Sequence, residues 1–203
     1  MIQSATREGS PITSDTIGFG IGPRINAAGR LDDAMLAVKL LITSDSEEAK
    51  NLSRELNDLN AKRQEISQRI FEEAEAMLTA SGKGPDWGIV LAKEGWHPGV
   101  IGIVASRLTE KYHEPTILMS IKDGIAKGSC RSIPPVHLYH ALEACRPALI
   151  QFGGHAQAAG LTMEADQVDE LRHLCTEAVK TALHGEIYEP EVEPDYFIPE
   201  GRL

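Results

Sequence analysis

The sequence predicts an α/β fold in which a mixed β-sheet with flanking helices is preceded by a long connecting helix. Three observations predict it. An apolar stripe at alternating three- and four-residue steps runs from Ala49 to Met77. After residue 85 the repeat changes to short runs typical of strands, separated by helical stretches. Their order is strand, helix, strand, strand, helix, strand, helix. It requires parallel and antiparallel neighbours in one sheet, because a helix can carry the chain back for a parallel pairing and a short turn cannot. With 203 residues and 42% hydrophobic content, the chain has enough apolar surface for a core of its own.

Taken in order, residues 1–43 read as a connection that leads into the long helix. After a polar start, GFGIGPRINAAGR (18–30) is a glycine-punctuated connection. It leads into a short helix in which Leu31, Met35, Val38, Leu41 and Ile42 share a face, and Asp32 and Asp33 fit its start. Residues 44–83 read as a long linker helix: Ser44 followed by Glu47 has the capping-box pattern, and Gly82 is the stop. Ala49, Leu52, Leu56, Leu59, Ile66, Ile70, Ala74 and Met77 form its stripe, and Arg63 fills the one gap. Such a helix is roughly 50 Å long at ~1.5 Å per residue. Its stripe is too narrow for burial all round, so it is either an antiparallel packing partner or a strut between two domains. The polar connection before it favours the strut.

Residues 84–183 read as the α/β unit. WGIVLA (87–92), PTILMS (115–120), IAKGSC (125–130) and AAGLTM (158–163) have strand character. Helices are expected at 98–111, where Pro98 suits the first turn, at 136–149, and at 165–183, where Val168, Leu171, Leu174, Ala178 and Leu183 form a stripe. Residues 184–203, with Pro190, Pro194 and Pro199 among many acids, read as an exposed acidic tail or the start of something cut off.

The formal charge of −10 argues at first against a nucleic-acid partner, because phosphate binding needs clustered Lys and Arg. Its distribution changes that. Residues 164–203 carry 11 acidic and 3 basic side chains, which leaves the first 163 residues near balance at −2. Between Trp87 and Met163, 7 basic residues and five histidines stand against 5 acidic ones, enough for a local anion site but not for a broad basic face. Cys130, Cys145 and Cys175 are odd in number and never spaced as C-x-x-C, so they read as reduced thiols rather than a disulfide framework or a zinc site. No apolar run is long enough to cross a bilayer, and MIQSATREGS lacks the pattern of a signal peptide. No membrane partner is expected, and the cytoplasm is the default compartment.

Four segments are richer in Gly, Arg, Asn, Ser and His than folding alone requires: PRINAAGR (23–30), EGWHPGVIGIVASRL (94–108), KGSCRS (127–132) and FGGHAQAAG (152–160). Gly153 and Gly154 permit positive φ, and successive N–H groups in such a turn can converge on an anion with His155 beside them. The plain alternative is a tight turn before a strand. In KGSCRS, alternate strand residues place Ser129 and Arg131 on one face, with Ser132 following, and a planar guanidinium can grip phosphate oxygens in bidentate fashion. The alternative there is an ordinary surface edge strand.

His97 lies in a Trp-His-Pro-Gly turn before a helix whose first N–H groups attract anions. Gly102 and Ala105 point instead to close packing of that helix on the sheet, with Trp96 filling the core, and this structural reading is preferred. Arg24, Asn26 and Arg30, in a loop before a helix, make a phosphate clamp, unless Arg30 pairs with Asp32 or Asp33. No Asp and His cluster has the spacing of a two-metal hydrolase, and no Ser, His and Asp grouping is readable. Binding parts are present without a reaction centre.

In this order, IGFGIGPRINAAGRL, GWHPGVIGIVASRL, KGSCRSI and FGGHAQAAGLTM resemble the bacterial single-strand-specific exonucleases of the DHH phosphoesterase superfamily, over nearly the whole chain from Asp15 to the acidic tail. The combination of the first two is the specific part, since the GGH stretch recurs across the superfamily. The resemblance implies that residues 84–183 are the DHH-associated substrate-binding domain, that residues 1–43 are the end of a preceding catalytic DHH domain and its connection, that the long helix links the two, and that the acidic tail leads towards a further domain. It also implies that the metal ligands and the Asp-His-His signature lie in that preceding domain, outside these residues. Manganese or magnesium is the implied cofactor of the whole enzyme, none of it bound by these residues. The implied reaction is attack of a metal-activated water on a phosphodiester, releasing nucleotides from the 5′ end of single-stranded DNA.

The residues implied to grip the backbone or a 5′ phosphate are Arg24, Asn26 and Arg30, then Ser129, Arg131 and Ser132, then Gly153, Gly154 and His155, with His97 a further candidate. Phosphate contacts position a strand without reading its sequence, and 5% aromatic content leaves little for base stacking. Two other functions stand beside this one: a non-catalytic nucleic-acid-binding or protein-interaction module, and a phosphatase or oligoribonuclease acting on small nucleotides.

Overall fold

A computed structural model describes residues 11–80 and 87–190. The polar start through Ser10, the stop at Gly82, the boundary at residue 84, and Pro194 and Pro199 of the tail lie outside the described residues.

The first described segment is helical, which corrects the expected connection. A wide π-helical turn over Thr16–Ile21, with the Gly22 N–H donating to the Ile17 carbonyl, runs directly into α1 (Gly22–Leu31). The glycines that mark this stretch as irregular are outweighed by packing. Pro23 sits in the first turn, where its missing N–H costs nothing, and Ala27 and Ala28 are fully buried. In α2 (Met35–Ile42) the first turn is capped by Asp33, whose carboxylate accepts from the Met35 N–H at 2.8 Å.

The long helix is α3 (Ser46–Ala80), whose 35 residues span about 52 Å at 1.5 Å each. Its cap is Asp45 rather than the expected Ser44. The Asp45 carboxylate accepts from the N–H groups of Glu47 and Glu48 at 2.8 and 3.2 Å, and a negative group is the better partner for a helix N-terminus. The stripe divides between two cores. Leu56 packs with Ala28 and Ala37 in a small cluster, whereas Ile70 and Ala74 join a larger one beneath the sheet. No helix among the described residues is long and apolar enough to cross a membrane.

Beyond α3 come β1 (Ile89–Glu94), α4 (Ile101–Tyr112), β2 (Thr116–Lys122), β3 (Ile125–Arg131), α5 (Leu138–Ala144), β4 (Gln151–Gly154), β5 (Ala158–Glu164) and α6 (Val168–Ala182). The five strands lie in the order β1-β2-β3-β5-β4. β1 and β2 pair in parallel across α4, and the remaining pairings are antiparallel, which is the mixed sheet read from the sequence. One strand is added to that reading: β4, whose two glycines suggest a turn, is held in the ladder by β5.

Strand alternation separates two faces. Val90, Ile117, Met119, Cys130, Leu161 and Met163 point towards α5 and α6. Ile89, Leu91 and Leu118 point the other way, towards α4 and the second half of α3. Trp96, 3% exposed, fills that second core, and its indole N–H donates to Glu73 at 2.7 Å. On this face α4 packs over β2 and β3. Further across the same face Ala158, Gly160, Gln151 and Gly153 are exposed, so this part of the sheet surface is open, and at Gly160 and Gly153 it is bare of side chains.

Candidate nucleic-acid interface

Arg131 closes β3 at the border between the covered and open halves of this face. Its Nε donates to Ser106 Oγ at 3.1 Å, and its Nη1 donates to Ser129 Oγ at 3.2 Å and to the Cys130 carbonyl at 2.7 Å. The shared face of Ser129 and Arg131 is therefore a direct contact. Position 102 must stay bare for this, since a Cβ on Gly102 would lie 2.7 Å from Ser129 Oγ and 3.1 Å from Arg131 Nη2. Burial, and then the nearby Arg30 and its charge, lower the Arg131 pKa from its ordinary value, although a guanidinium remains charged in proteins.

Arg30 reaches this place from the end of α1, not from a loop. Its Nη1 donates to the Gly99 carbonyl at 3.1 Å. A Cβ on Gly99 would fall 2.2 Å from the Arg30 carbonyl oxygen, so α1 and the Trp-His-Pro-Gly turn meet backbone to backbone. The alternative pairing of Arg30 with Asp32 or Asp33 is not made, and Asp33 is occupied in capping α2. His97 shapes the same turn: its Nδ1 accepts from the Gly99 N–H at 3.1 Å, the structural role preferred for it.

A third guanidinium, Arg63 of α3, is also near Arg30; burial and then the Arg30 charge lower its pKa from the ordinary value. Sequence reasoning missed it. Its signal was its position, an arginine where the stripe asks for an apolar side chain. Among the described residues none of Arg30, Arg63 and Arg131 forms an ion pair.

Other expected members are placed elsewhere. Arg24 donates to Asn57 Oδ1 at 2.8 Å and to the Gly20 carbonyl at 2.6 Å, tying the π-helical turn to α3. It lies about 9 Å from Arg30 along α1 at ~1.5 Å per residue. Asn26 is exposed on α1. These three residues do not make one clamp. Ser132 donates its hydroxyl to the Val136 carbonyl at 2.7 Å and its N–H to the Gln157 carbonyl at 3.1 Å, so it closes the loop after β3.

The glycine turn with converging N–H groups is corrected to a strand and a hairpin. Gly153 pairs with Gly160, and only Gly154 has positive φ, at 154°. A Cβ on Gly154 would lie 2.4 Å from Ala159 Cα, so the hairpin needs glycine there for space as well as conformation. His155 is exposed, and its N–H is committed to the Ala158 carbonyl at 2.8 Å. What the missing bulk provides is a row, Ser129, Gly160 and Gly153, lying side by side across β3, β5 and β4. Arg131 pairs with Ala158, the residue that also bonds His155. Arginine and histidine thus occupy the same end of the sheet, two strands or roughly 10 Å apart. Beside the row is a shallow depression of about 440 Å³ lined by Lys127, Gln151, Phe152, Gly153, Gly160 and Thr162.

Magnesium and manganese need carboxylates and other oxygen donors grouped together. Among the described residues no group of three His, Cys, Asp or Glu side chains is placed to hold a metal ion. This site of guanidinium and hydroxyl donors fits phosphate oxygens and does not fit a metal.

Residues 86–181 match the family model described as the DHHA1 domain. Over most of its length the chain is also similar to the single-stranded-DNA-specific exonuclease RecJ. It is 43% identical over 183 residues to the protein of Bacillus subtilis (strain 168), matching 89% of this chain and 23% of that protein. It is 37% identical over 203 residues to the one from Escherichia coli (strain K12), with 96% and 35% covered. The crystal structure of RecJ from Thermus thermophilus in complex with Mg2+ matches with a TM-score of 0.74 at 35% identity, over 82% of this chain and 26% of that one. The crystal structure of exonuclease RecJ bound to manganese matches with a TM-score of 0.71 at 36% identity, over 81% and 40%. The chain therefore spans 23 to 35% of the length of these two curated relatives.

Proposed function

We propose that this chain is the substrate-binding portion of a RecJ-like, metal-dependent 5′ to 3′ exonuclease, and that it grips the 5′ phosphate and adjoining backbone of single-stranded DNA. One observation carries the reading: Arg30 and Arg131 are held by neutral acceptors, without an ion pair, at the edge of an open sheet face whose middle row is bare at Gly160 and Gly153. Their remaining N–H groups and the Ser129 hydroxyl are suited to phosphate oxygens, and such charge-assisted bonds are the strong ones. The row Ser129, Gly160, Gly153 lets a sugar–phosphate chain approach the sheet, with Lys127 and His155 at its margins. Contacts of this kind do not depend on base sequence.

The catalytic DHH domain, expected in cis in the whole protein, would hold manganese or magnesium, and the metal supplies the activated water. The part of the residues described above is to orient the strand and hold its end, so that the bond to be cut is presented repeatably. Ile17, Phe19, Leu41 and Ile42, between 58 and 83% exposed on the first helices, support a protein face there. The same surface supports a second reading, a module that binds protein and never cleaves.

Titrating matched single strands, one 5′-phosphorylated and one 5′-hydroxyl, against the chain tests the proposal. Tighter, salt-sensitive binding of the phosphorylated strand is expected, and Arg131→Ala should remove about tenfold of the difference. Equal affinities that Arg131→Ala leaves unchanged would refute the phosphate-gripping role and favour the protein-binding module. Competition by mononucleotides as effective as by strands would favour hydrolysis of small nucleotides.

A further inference from the structure

On the other side of the sheet, α5 and α6 enclose a mainly apolar groove of about 520 Å³. Leu174 and Ala178 of α6 line it and are half-buried against the core, and Ala141 and Ala144 of α5 line it from across. A second hollow, of about 770 Å³, is lined by residues 182–184 and 186–189, and Pro135 and Ala182 border both spaces. The end of α6 keeps the chain at this place. His184 and Gly185 have φ of 54° and 78°, and the Gly185 N–H donates to the Lys180 carbonyl at 2.9 Å, which stops the helix and folds the chain back. Tyr188 then packs against the core that α5 and α6 share. The chain is therefore beside the groove when it reaches Pro190.

We propose that the groove between α5 and α6 is a docking site for the chain's own residues 191–203, with Tyr196, Phe197 and Ile198 as its anchors. These are three consecutive large apolar side chains in an otherwise acidic segment, and Pro194 and Pro199 on either side disfavour a helix there. The reach is sufficient. Six to eight residues beyond Pro190 span roughly 20–26 Å at ~3.3 Å each, and the groove from Leu174 to Ala182 is about 12 Å long at ~1.5 Å per helical residue. Glu177 lines the groove together with His137 and His140, so apolar contact rather than charge holds the segment, and Glu191, Glu193 and Asp195 stay in water. Tethering decides between occupants: a short linker holds its segment at an effective concentration in the millimolar range, far above that of a second copy or a foreign peptide at micromolar levels. The inference does not depend on the phosphate-gripping function.

Disulfide trapping in the whole 203-residue chain tests this directly. Ala182→Cys combined with Ile198→Cys should close an intrachain disulfide about tenfold faster than Lys180→Cys combined with Ile198→Cys. Both partners are exposed on α6 at nearly the same distance along the chain, but position 180 is about 200° round the helix from position 182 and does not line the groove. Stability supplies a second readout. Replacing Tyr196 and Phe197 together by serine should lower the thermal midpoint by about 5 °C. Ala182→Lys, which obstructs the groove from an exposed position, should do the same, and combining the changes should lower it no further. If Ala182→Lys does not fold, Ala144→Lys on the exposed part of the other wall replaces it. Equal trapping rates at positions 182 and 180, or losses that add, overturn the proposal. Disulfides that form only between chains assign the groove to a second copy and overturn it as well. A midpoint unchanged by both the serine and the lysine variants shows a groove left free for a foreign partner, which also overturns it.

Discussion

Cys130, Cys145 and Cys175 are all buried, and burial pushes the Cys130 thiol up to about 12, the Cys145 thiol to about 11, and Cys175 further in the same direction. The thiolate is the reactive form, so these groups are inert while the fold holds. At pH 8, iodoacetamide should modify none of them in the native chain and all three after denaturation, counted by mass spectrometry. The neutral thiols contribute stability that is complete below the ordinary thiol range and is lost as pH rises through the raised values. Residue identity was the easier part to read from sequence. The bareness of Gly102, the Ser129 and Arg131 pair and the core position of Trp96 all follow from spacing. That Arg30 would meet Arg131, and Arg63 approach Arg30, did not, because nothing local records how α1 and α3 are laid against the sheet.

The division of α3 between two cores makes a sharper statement at the level of elements. Leu56→Ala and Ile70→Ala should each cost about 2–5 kcal/mol, because both side chains are fully buried and leave cavities. Their effects should be spatially separate. Hydrogen exchange in Leu56→Ala should speed up in α1 and leave β2 protected, and Ile70→Ala should do the reverse; a uniform response would show one cooperative core. Strands with β-branched runs were legible, as was α3, whose stripe spans many turns. The π-helical turn with α1, and β4, were not. In both, glycine argues locally for irregular chain, and packing prevails, through Ala27 and Ala28 in one case and the β5 ladder in the other. The cap moved from Ser44 to Asp45 for an electrostatic reason that spacing alone does not carry.

For the molecule as a whole, the uneven distribution of exposed apolar side chains is the informative feature. Ile12, Ile17, Phe19, Met35, Val38, Leu41 and Ile42 all belong to the first helices or their approach. A surface of this kind is covered in a stable assembly or drives association. In sedimentation runs at micromolar concentration the chain should self-associate, and the double variant Phe19→Asp, Leu41→Glu should be monomeric with an unchanged thermal midpoint. A monomeric unaltered chain would remove the support this surface lends to a covering domain.

The Gly99 and Arg30 contact has a mechanical side. Two of the charged tips ride on the helical end of the molecule and the third on the sheet, and the bare carbon at position 99 sets the gauge between them. A single methyl group there would act as a shim, widening the jaws of the calliper without touching any of its tips.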